Sequence, residues 1–207
     1  MGCGAADVAN LLRAGAATIA EHRVELIDLD RPIGDADHGE NLNRGFGFVV
    51  STLDTAVPET PGGVLKLAAT TLISKVGGAA GPLYGTAFLR VATTLGDRPD
   101  LDASAVVEAL RAALAGVVAR GKAEVGDATM VDALTPAVAA AEAAENDGIA
   151  ALLSAAADAA DQGAESTEPL IARKGRASYL GERSVGHVDP GARSTALLLR
   201  AFAEAAR

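Results

Sequence analysis

Residues 31–41 read RPIGDADHGEN, and they separate two stretches in which apolar residues recur at the spacing of an α-helix. Pro32 and Gly34 predict the break, because proline lacks a backbone donor and glycine adopts turn conformations freely. Three more segments of similar composition follow, and we number all four in chain order as the glycine-rich segments. The second to fourth are GGAAGP at 77–82, GKAEVGDAT at 121–129 and KGRASYLGERSVGHVDPGA at 174–192.

Helices account for most of the chain between these segments. Alanine, the best helix former, is abundant, whereas Trp is absent and there are only four Phe and two Tyr, which disfavours strands. Pro136 predicts a kink in the sixth helix and Pro169 a bend in the seventh. The sequence therefore predicts one all-α domain over residues 1–207. Its eight predicted helices cover about 5–29, 40–53, 63–76, 82–95, 103–120, 129–145, 147–173 and 194–206.

The other connections between helices are plain polar turns, at 54–62, 96–102 and 146–148. In an up-and-down helical bundle, alternate connections lie at the same end. The four glycine-rich segments are therefore predicted to meet at one end of the molecule, where they form a binding site.

Charge and composition exclude several classes of function. The formal net charge of −9 argues against nucleic-acid binding, which needs a broad basic face. Cys3 is the one cysteine, so no internal disulfide is possible and a reducing compartment is favoured. Because no apolar run approaches the ~20 residues of a membrane span, we expect a cytoplasmic protein that does not enter membranes.

Three carboxylates in the first segment indicate a metal site. Asp30, Asp35 and Asp37 lie around the helix break, and like charges held this close repel each other unless a cation shares them. Oxygen ligands favour Mg²⁺, Mn²⁺ or Ca²⁺ over Zn²⁺. A calcium EF-hand is excluded, because Glu40 stands where its loop needs glycine and Phe46 where it needs a bidentate Glu. Mg²⁺ keeps coordination sites for phosphate oxygens, so a phosphorylated ligand is predicted.

Two helix starts could supply backbone amides to such a ligand. The helix after the three aspartates opens at Gly39. The second glycine-rich segment places Pro82 at a predicted first helical position, which leaves the preceding amides free. A basic cluster in the fourth segment could neutralise phosphate charge, although a solvated loop explains it equally well. The cluster comprises Arg173, Lys174, Arg176, Arg183 and Arg193.

Other familiar motifs fail on inspection. Residues 116–122 begin like a P-loop, but Ala123 replaces the required Ser or Thr and the stretch follows a helix instead of a strand. No glycine fingerprint of a Rossmann dinucleotide-binding site follows a strand. No Ser-His-Asp or Cys-His arrangement for nucleophilic catalysis is present either. His22 is expected to be a plain surface residue of the first helix. Phosphoryl transfer needs no protein nucleophile, so it remains compatible with the sequence.

Four long stretches of the sequence resemble one family, the ADP-binding L subunits of bacterial dihydroxyacetone kinases. They are GDADHGENLNRGF at 34–46, GGAAGPLYGT at 77–86, GKAEVGDATMVDALTP at 121–136 and ARKGRASYLGERSVGHVDPGA at 172–192. The resemblance extends over essentially the whole chain. It implies an eight-helix, antiparallel up-and-down barrel that binds ADP or ATP in the loops at one end.

The resemblance also implies residue roles. Asp30, Asp35 and Asp37 match the positions that bind two Mg²⁺ ions. The other matched positions are His38, Gly39, Glu40 and Asn41 at the phosphates, Ala79 and Ala80 in a second phosphate loop, Gly121, Thr129 and Met130 near the adenosine, Arg176 near the phosphates, and Asp189, Pro190 and Gly191 closing over the nucleotide.

Partners follow from the resemblance as well. A K subunit is expected to hold dihydroxyacetone, and an M-type subunit of the phosphotransferase system to rephosphorylate bound ADP. Two alternatives stay open, a C4 sugar as acceptor and a nucleotide-bound role as partner of a transcription regulator. The sequence departs from the family pattern at Ala80, where Ser is usual, and at Ala128, where Lys is frequent.

Overall fold

A computed structural model describes residues 3–207 of the chain. Within these residues there are nine α-helices, and the prediction of an all-α protein is confirmed. The helices are α1 Ala5–Glu21, α2 Arg23–Asp30, α3 His38–Thr55, α4 Pro61–Lys75, α5 Ala80–Leu95, α6 Ala103–Gly121, α7 Met130–Ala143, α8 Ile149–Glu165 and α9 Pro190–Ala205. Two 3-10 helices, Glu145–Asp147 and Arg176–Ser184, and a short antiparallel pair of β1 Cys3–Gly4 with β2 Asp100–Leu101 complete the secondary structure of this part.

Helices α3 to α7 begin and end close to the predicted residues, because ordinary capping signals mark their ends. The Thr60 hydroxyl accepts a hydrogen bond from the Gly63 amide at 3.1 Å, with Pro61 at the first helical position. The Asp102 carboxylate accepts one from the Ala105 amide at 2.8 Å. Pro136 lies inside α7, as predicted.

The prediction of one helix over 5–29 is wrong, because α1 and α2 are separate helices that meet at His22. The backbone of His22 leaves helical geometry, with φ −90° and ψ 10°. Its imidazole Nδ1 lies 2.5 Å from Glu25 Oε2, so His22 is not a plain surface residue either. The apolar repeat continues through Ile19 and Leu26, both fully buried, and therefore carried no sign of the break.

The prediction that the helix from 147 continues to 173 is also wrong. Helix α8 ends at Glu165, and the chain continues in turns through residue 170. The Thr167 hydroxyl donates to the Ala164 carbonyl at 2.6 Å, which takes the place of a helical bond, and Pro169 disfavours helical geometry at the residue before it. The fourth glycine-rich segment, expected to be a loop, contains the 3-10 helix Arg176–Ser184.

The starts of α9 and α5 lie earlier than predicted. Helix α9 begins at Pro190 instead of Ser194, because the Asp189 carboxylate accepts from the Ala192 amide at 2.7 Å and Pro190 suits the first helical position. Helix α5 begins at Ala80, so Pro82 is its third residue and not its first.

Helices that are neighbours in the chain pack against one another from α3 to α9, and α1 contacts both α3 and α9. Small residues permit close approach: a Cβ on Gly163 of α8 would lie 2.4 Å from the Asp132 carbonyl oxygen of α7. One apolar core, which includes the fully buried side chains of Phe46 and Leu12, connects the helices. This sequence of contacts is compatible with the expected up-and-down barrel, which stays a prediction. No helix between residues 3 and 207 is both long and apolar enough to cross a membrane.

Candidate functional site

A cavity of about 550 Å³ is lined by residues of all four glycine-rich segments. Asp30 and His38 come from the first segment or its edge, Ala79 from the second, Thr129 from the third and Arg176 from the fourth. The prediction that these segments meet in one place is confirmed. We call this space the rim cavity.

The three predicted metal ligands lie together at the rim cavity. Asp30, Asp35 and Asp37 each offer a carboxylate oxygen, and these oxygens lie within 4.8 Å of one another. Asp30 is buried, Asp37 is half-buried and Asp35 is exposed. An all-oxygen, triply anionic set that opens on one side suits a hard divalent cation such as Mg²⁺, which retains further ligands from water or phosphate.

The backbone of the first segment holds Asp30 in place. Asp30 Oδ2 accepts hydrogen bonds from the amides of Asp37 at 2.9 Å and His38 at 3.3 Å. Gly34 is required beside it, because a Cβ there would lie 2.0 Å from Asp30 Oδ1. Ala36 adopts φ 59°, a left-handed conformation that reverses the chain between Asp35 and Asp37. The local fold therefore brings three like charges together.

Arg176 contributes a positive charge to the same cluster. Its guanidinium lies 2.8 Å from an Asp35 carboxylate oxygen. The contact joins the 3-10 helix of the fourth glycine-rich segment to the first segment. Lys174 lines the cavity nearby, and its ammonium lies 3.7 Å from the Asp127 carboxylate of the third segment. The two basic residues thus connect three of the four segments.

The second segment forms a turn of small residues at the start of α5. Gly78 has φ +65°, which glycine tolerates without strain. A Cβ on Gly81 would lie 2.4 Å from the Val76 carbonyl oxygen, so the turn closes tightly on itself. The amides at the start of α5 have no partner within the helix and lie at the cavity, where they could bind an anion.

Asp132 organises the third segment, and the sequence analysis missed it. This carboxylate is only 4% exposed, and it accepts from the amides of Gly126 at 2.5 Å and Thr129 at 2.8 Å. The Thr129 hydroxyl accepts from the Val131 amide in turn. The pattern of Thr followed three residues later by an acidic residue is a capping-box signal that could have identified it.

A buried polar network under the cavity was missed as well. Tyr84 Oη lies 2.7 Å from Ser194 Oγ and 3.0 Å from Thr195 Oγ1, and His38 Nε2 lies 2.9 Å from Ser194 Oγ. Burial lowers the pKa of His38 to about 4 and raises that of Tyr84 to about 12. Both side chains are therefore neutral at pH 7. The network ties α3, α5 and α9 together directly beneath the cavity.

Asp189 lies at the start of α9, on the wall of the cavity. Burial raises the pKa of its carboxyl group to about 7, against the lowering effect of the Ala192 amide. Its own amide donates to the Thr167 hydroxyl at 2.9 Å. These contacts place Pro190 and Gly191 at the cavity, although they are far in sequence from the metal segment.

Most of the predicted site residues line the rim cavity, but Gly39 and Glu40 do not. A Cβ on Gly39 would lie 2.2 Å from the Arg23 carbonyl oxygen, so this glycine serves the packing of α3 on α2. Glu40 pairs instead with the Arg23 guanidinium at 2.7 Å. The predicted site residues that do line the rim cavity are Asp30, Asp35, Asp37, His38, Asn41, Ala79, Ala80, Gly121, Thr129, Met130, Arg176, Asp189, Pro190 and Gly191.

Two further basic residues differ from the expectation. Arg193, counted with the basic cluster, pairs with Glu25 at 2.6 Å and Asp161 at 3.4 Å and does not line the cavity. Arg120, which was not predicted, does line it.

The wall residues Tyr84 and Met130 also border a second, apolar cavity of about 430 Å³ among the helices.

Known proteins are similar to this chain over nearly its whole length. The family model described as the DAK2 domain matches residues 32–204. The ADP-binding subunit DhaL of the PEP-dependent dihydroxyacetone kinase of Escherichia coli K12 is 46% identical over 184 residues, which cover 88% of each chain. The corresponding subunit of the PTS-dependent dihydroxyacetone kinase of Lactococcus lactis is 42% identical over 186 residues, 90% of each chain.

A solved structure shares the fold. The dihydroxyacetone kinase of C. freundii, in complex with AMP-PNP and Mg²⁺, superposes with a TM-score of 0.75 at 29% identity, covering 99% of this chain. The present chain spans 34% of that longer enzyme. With the family model and both subunits in agreement, the chain belongs to the DAK2 family, as a relative of the ADP-binding subunits of dihydroxyacetone kinases.

Proposed function

We propose that the chain holds a magnesium complex of ADP or ATP in the rim cavity and supplies its phosphoryl group to dihydroxyacetone held by a separate K subunit. The observation that carries the proposal is the meeting of the Asp30, Asp35 and Asp37 oxygens with the small-residue turn at 77–80 in one cavity. The names of the E. coli and L. lactis relatives support both the nucleotide and the reaction.

Asp30, Asp35 and Asp37 would hold the metal, and we propose two Mg²⁺ ions at this site. Bound Mg²⁺ would neutralise the charge that develops on the phosphate oxygens during transfer. Asp30 keeps its orientation through the amides of Asp37 and His38, so it does not need to rearrange when a cation enters. A preorganised ligand set of this kind binds with a smaller entropic cost.

The phosphates would lie against the second segment and the start of α3. The amides at Ala79 and Ala80 donate without a side chain in the way, and Asn41 lies directly below the turn. Because Ala80 carries no hydroxyl, this chain relies on backbone donors at that position. Arg176 lies beside Asp35, so it could reach phosphates coordinated to a Mg²⁺ ion that Asp35 would hold.

The adenosine would occupy the opposite wall, beside Gly121, Thr129 and Met130, with Pro190 and Gly191 closing the other side. Ala128 adopts φ 55° and is nearly buried, so it offers only a methyl group here. Backbone shape and apolar contact, more than charge, would therefore select the base.

The K subunit would dock over the mouth of the cavity, since the acceptor hydroxyl must reach the terminal phosphate. Two apolar side chains in the segments that border the mouth suit such a contact: Tyr179 is 87% exposed and Val125 66% exposed. An M-type phosphotransferase subunit that rephosphorylates ADP in place would use the same opening. A cytoplasmic location and a regulatory contact with a transcription factor stay predictions.

Calorimetric titration of ADP into the purified chain tests the proposal. Binding is expected with Mg²⁺ and not with EDTA, and Asp35→Asn should abolish it. Asp28→Asn is the matched control, because Asp28 lies on α2 outside the carboxylate trio, and its one ion pair within residues 3–207 is with Arg31 at 2.6 Å. Mg²⁺-dependent binding that survives Asp35→Asn contradicts the metal assignment.

Reconstitution with a K-type subunit then tests the acceptor and the donor. Transfer to dihydroxyacetone is expected, and transfer only to a C4 ketose would select the alternative acceptor. Retention of ADP through gel filtration would support rephosphorylation in place, whereas rapid exchange with free ATP would support direct use of ATP. No transfer with any K-type partner would favour a purely regulatory role.

A further inference from the structure

Arg44 lies on α3, three residues after Asn41, and its Nη2 would lie 3.9 Å from a Cβ on Gly77, a residue that lines the rim cavity. Its Nη2 donates to Asn41 Oδ1 at 2.7 Å. This is the only hydrogen bond of its guanidinium within residues 3–207, and no carboxylate in that part lies within ion-pair distance of it. In a chain of 27 acidic and 18 basic residues, an arginine committed to an amide instead of a carboxylate calls for a reason.

The contact determines which way the Asn41 carboxamide faces. A guanidinium has only donors, so the carboxamide oxygen must turn towards Arg44 and the NH₂ group must turn away. Asn41 is only 6% exposed, yet no protein acceptor lies within reach of its Nδ2 in the described residues. Its two hydrogens are therefore free for something that enters the cavity.

The Nδ2 atom lies under the turn of the second segment. A Cβ on Gly78 would be 3.8 Å from it, and one on Gly77 would be 3.6 Å from Asn41 Oδ1 and 3.9 Å from Arg44 Nη2. The carboxamide and the guanidinium thus lie close to the turn that leads into α5, and the first residues of α5 line the same cavity as Asn41. The carboxamide NH₂ group, the guanidinium and the amides of those first residues are all donors, and a cluster of donors suits an anion.

We propose that Arg44 is a positioning residue, which fixes the Asn41 carboxamide so that Nδ2 donates to a phosphate of the bound nucleotide. The inference rests on the proposed function and adds a residue to it. Without Arg44 the carboxamide would be free to rotate and present its oxygen, whose partial negative charge repels phosphate oxygens. Arg44 itself is solvent-exposed, so its effect comes through the orientation of Asn41 and only weakly through its charge.

A double-mutant cycle tests this mechanism, with the dissociation constant of Mg·ADP measured by calorimetry for the whole chain. Arg44→Met and Asn41→Ala are each expected to weaken ADP binding by roughly 5- to 20-fold, as for loss of a hydrogen bond to a charged group. The double variant should bind no more weakly than Asn41→Ala alone, because Arg44 has nothing left to orient. Arg44→Lys, which keeps a donor, should recover part of the affinity.

Two controls separate positioning from general damage. Arg98→Met removes an equal charge from an arginine that pairs with Glu108, away from the cavity lining, and should leave ADP binding unchanged. Competition by adenosine, which has no phosphate, should be equally strong in the wild type and in Arg44→Met. An equal loss of adenosine and ADP binding would show a merely structural role and overturn the proposal.

The outcomes also separate this inference from the proposed function. If the wild-type chain binds no Mg·ADP, the proposed function itself fails. If the wild type binds and Arg44→Met binds equally well, only the role of Arg44 is wrong. If Arg44→Met has its full effect in the Asn41→Ala background, Arg44 acts independently of Asn41, and the positioning mechanism is overturned.

Discussion

The guanidinium of Arg176 lies 2.8 Å from a carboxylate oxygen of Asp35, so a basic residue of the fourth glycine-rich segment contacts a proposed metal ligand of the first. One carboxylate carries a single negative charge, so a contact with Arg176 weakens the attraction of Asp35 for Mg²⁺. We therefore expect Arg176 to compete with the metal when no phosphate is present, and to bind together with it when phosphate supplies further negative charge.

Arg176→Met should consequently shift two affinities in opposite directions. Because the pair is largely exposed, Mg²⁺ binding without nucleotide should strengthen only about two- to fivefold. Mg·ADP binding should weaken by roughly tenfold or more, since a charged phosphate contact is lost. Titration of Mg²⁺ with and without ADP measures both. A parallel loss of both affinities would show that Arg176 only supports the loop.

Gly34→Ala should damage the metal site without unfolding the protein. A Cβ at this position would lie 2.0 Å from Asp30 Oδ1, so the carboxylate has to move. Displacing a preorganised ligand should reduce Mg²⁺ affinity by roughly 10- to 100-fold. Gly47→Ala on α3 is the control, because nothing lies within 4 Å of a Cβ there, and it should raise stability by about 0.5–1 kcal/mol. Unchanged Mg²⁺ binding in Gly34→Ala would contradict the placement of Asp30.

Tyr84→Phe should destabilise the fold through the buried network. The change removes a hydroxyl that contacts Ser194 and Thr195, and we expect a loss of about 1–2 kcal/mol in the free energy of unfolding. Urea denaturation measures it. Tyr179→Phe removes the same hydroxyl from a side chain that is 87% exposed, and it should change stability by less than ~0.5 kcal/mol. Equal effects of the two substitutions would argue against the network.

His38 should make the metal-free protein sensitive to acid. Burial lowers its pKa from 6.5 to about 4, so between these values the unfolded chain binds a proton that the folded chain does not. The contribution of His38 to stability is therefore complete above pH 6.5 and is lost as the pH falls towards 4. Lowering the pH from 7 to 5 should cost the wild type roughly 1–2 kcal/mol more than it costs His38→Gln.

Denaturation in EDTA at both pH values measures this difference, and the comparison between the two proteins cancels the opposite contribution of Asp189. Burial raises the Asp189 pKa to about 7, which makes the folded state bind the extra proton and lowers stability as the pH rises towards 7. An imidazole NMR signal from His38 that titrates near pH 6.5 would show that the side chain is not desolvated.

Much of the fold was predictable because it depends on local signals. The 3.6-residue apolar repeat and caps such as Thr60 and Asp102 place α3 to α7 near their observed ends. The errors occur where the apolar repeat continues past the end of a helix. The His22 backbone leaves helical geometry between α1 and α2, and the Thr167 hydroxyl donates to the Ala164 carbonyl where α8 ends. The start of α9 carries an ordinary local signal, Asp189 as the cap followed by Pro190, which lies four residues before the apolar repeat begins.

The candidate site was predictable only in part, for the same physical reason. Three aspartates within eight residues indicate a metal wherever the helices lie, because their mutual repulsion is local. The network of Tyr84, Ser194 and His38 is different. Tyr84 and Ser194 are 110 residues apart in the sequence, so no local sequence pattern predicts their hydrogen bond.

Three properties can be read from the amino-acid sequence alone: the chain is helical, four glycine-rich segments alternate with plain turns, and one of these segments concentrates negative charge. These properties follow from backbone geometry and from charges on neighbouring residues. Three contacts depend on how the helices pack: Arg176 reaches Asp35, Arg44 donates to the carboxamide of Asn41, and Glu40 pairs with Arg23 outside the cavity lining. Side-chain direction depends on which helices pack together, and that packing is a property of the whole chain.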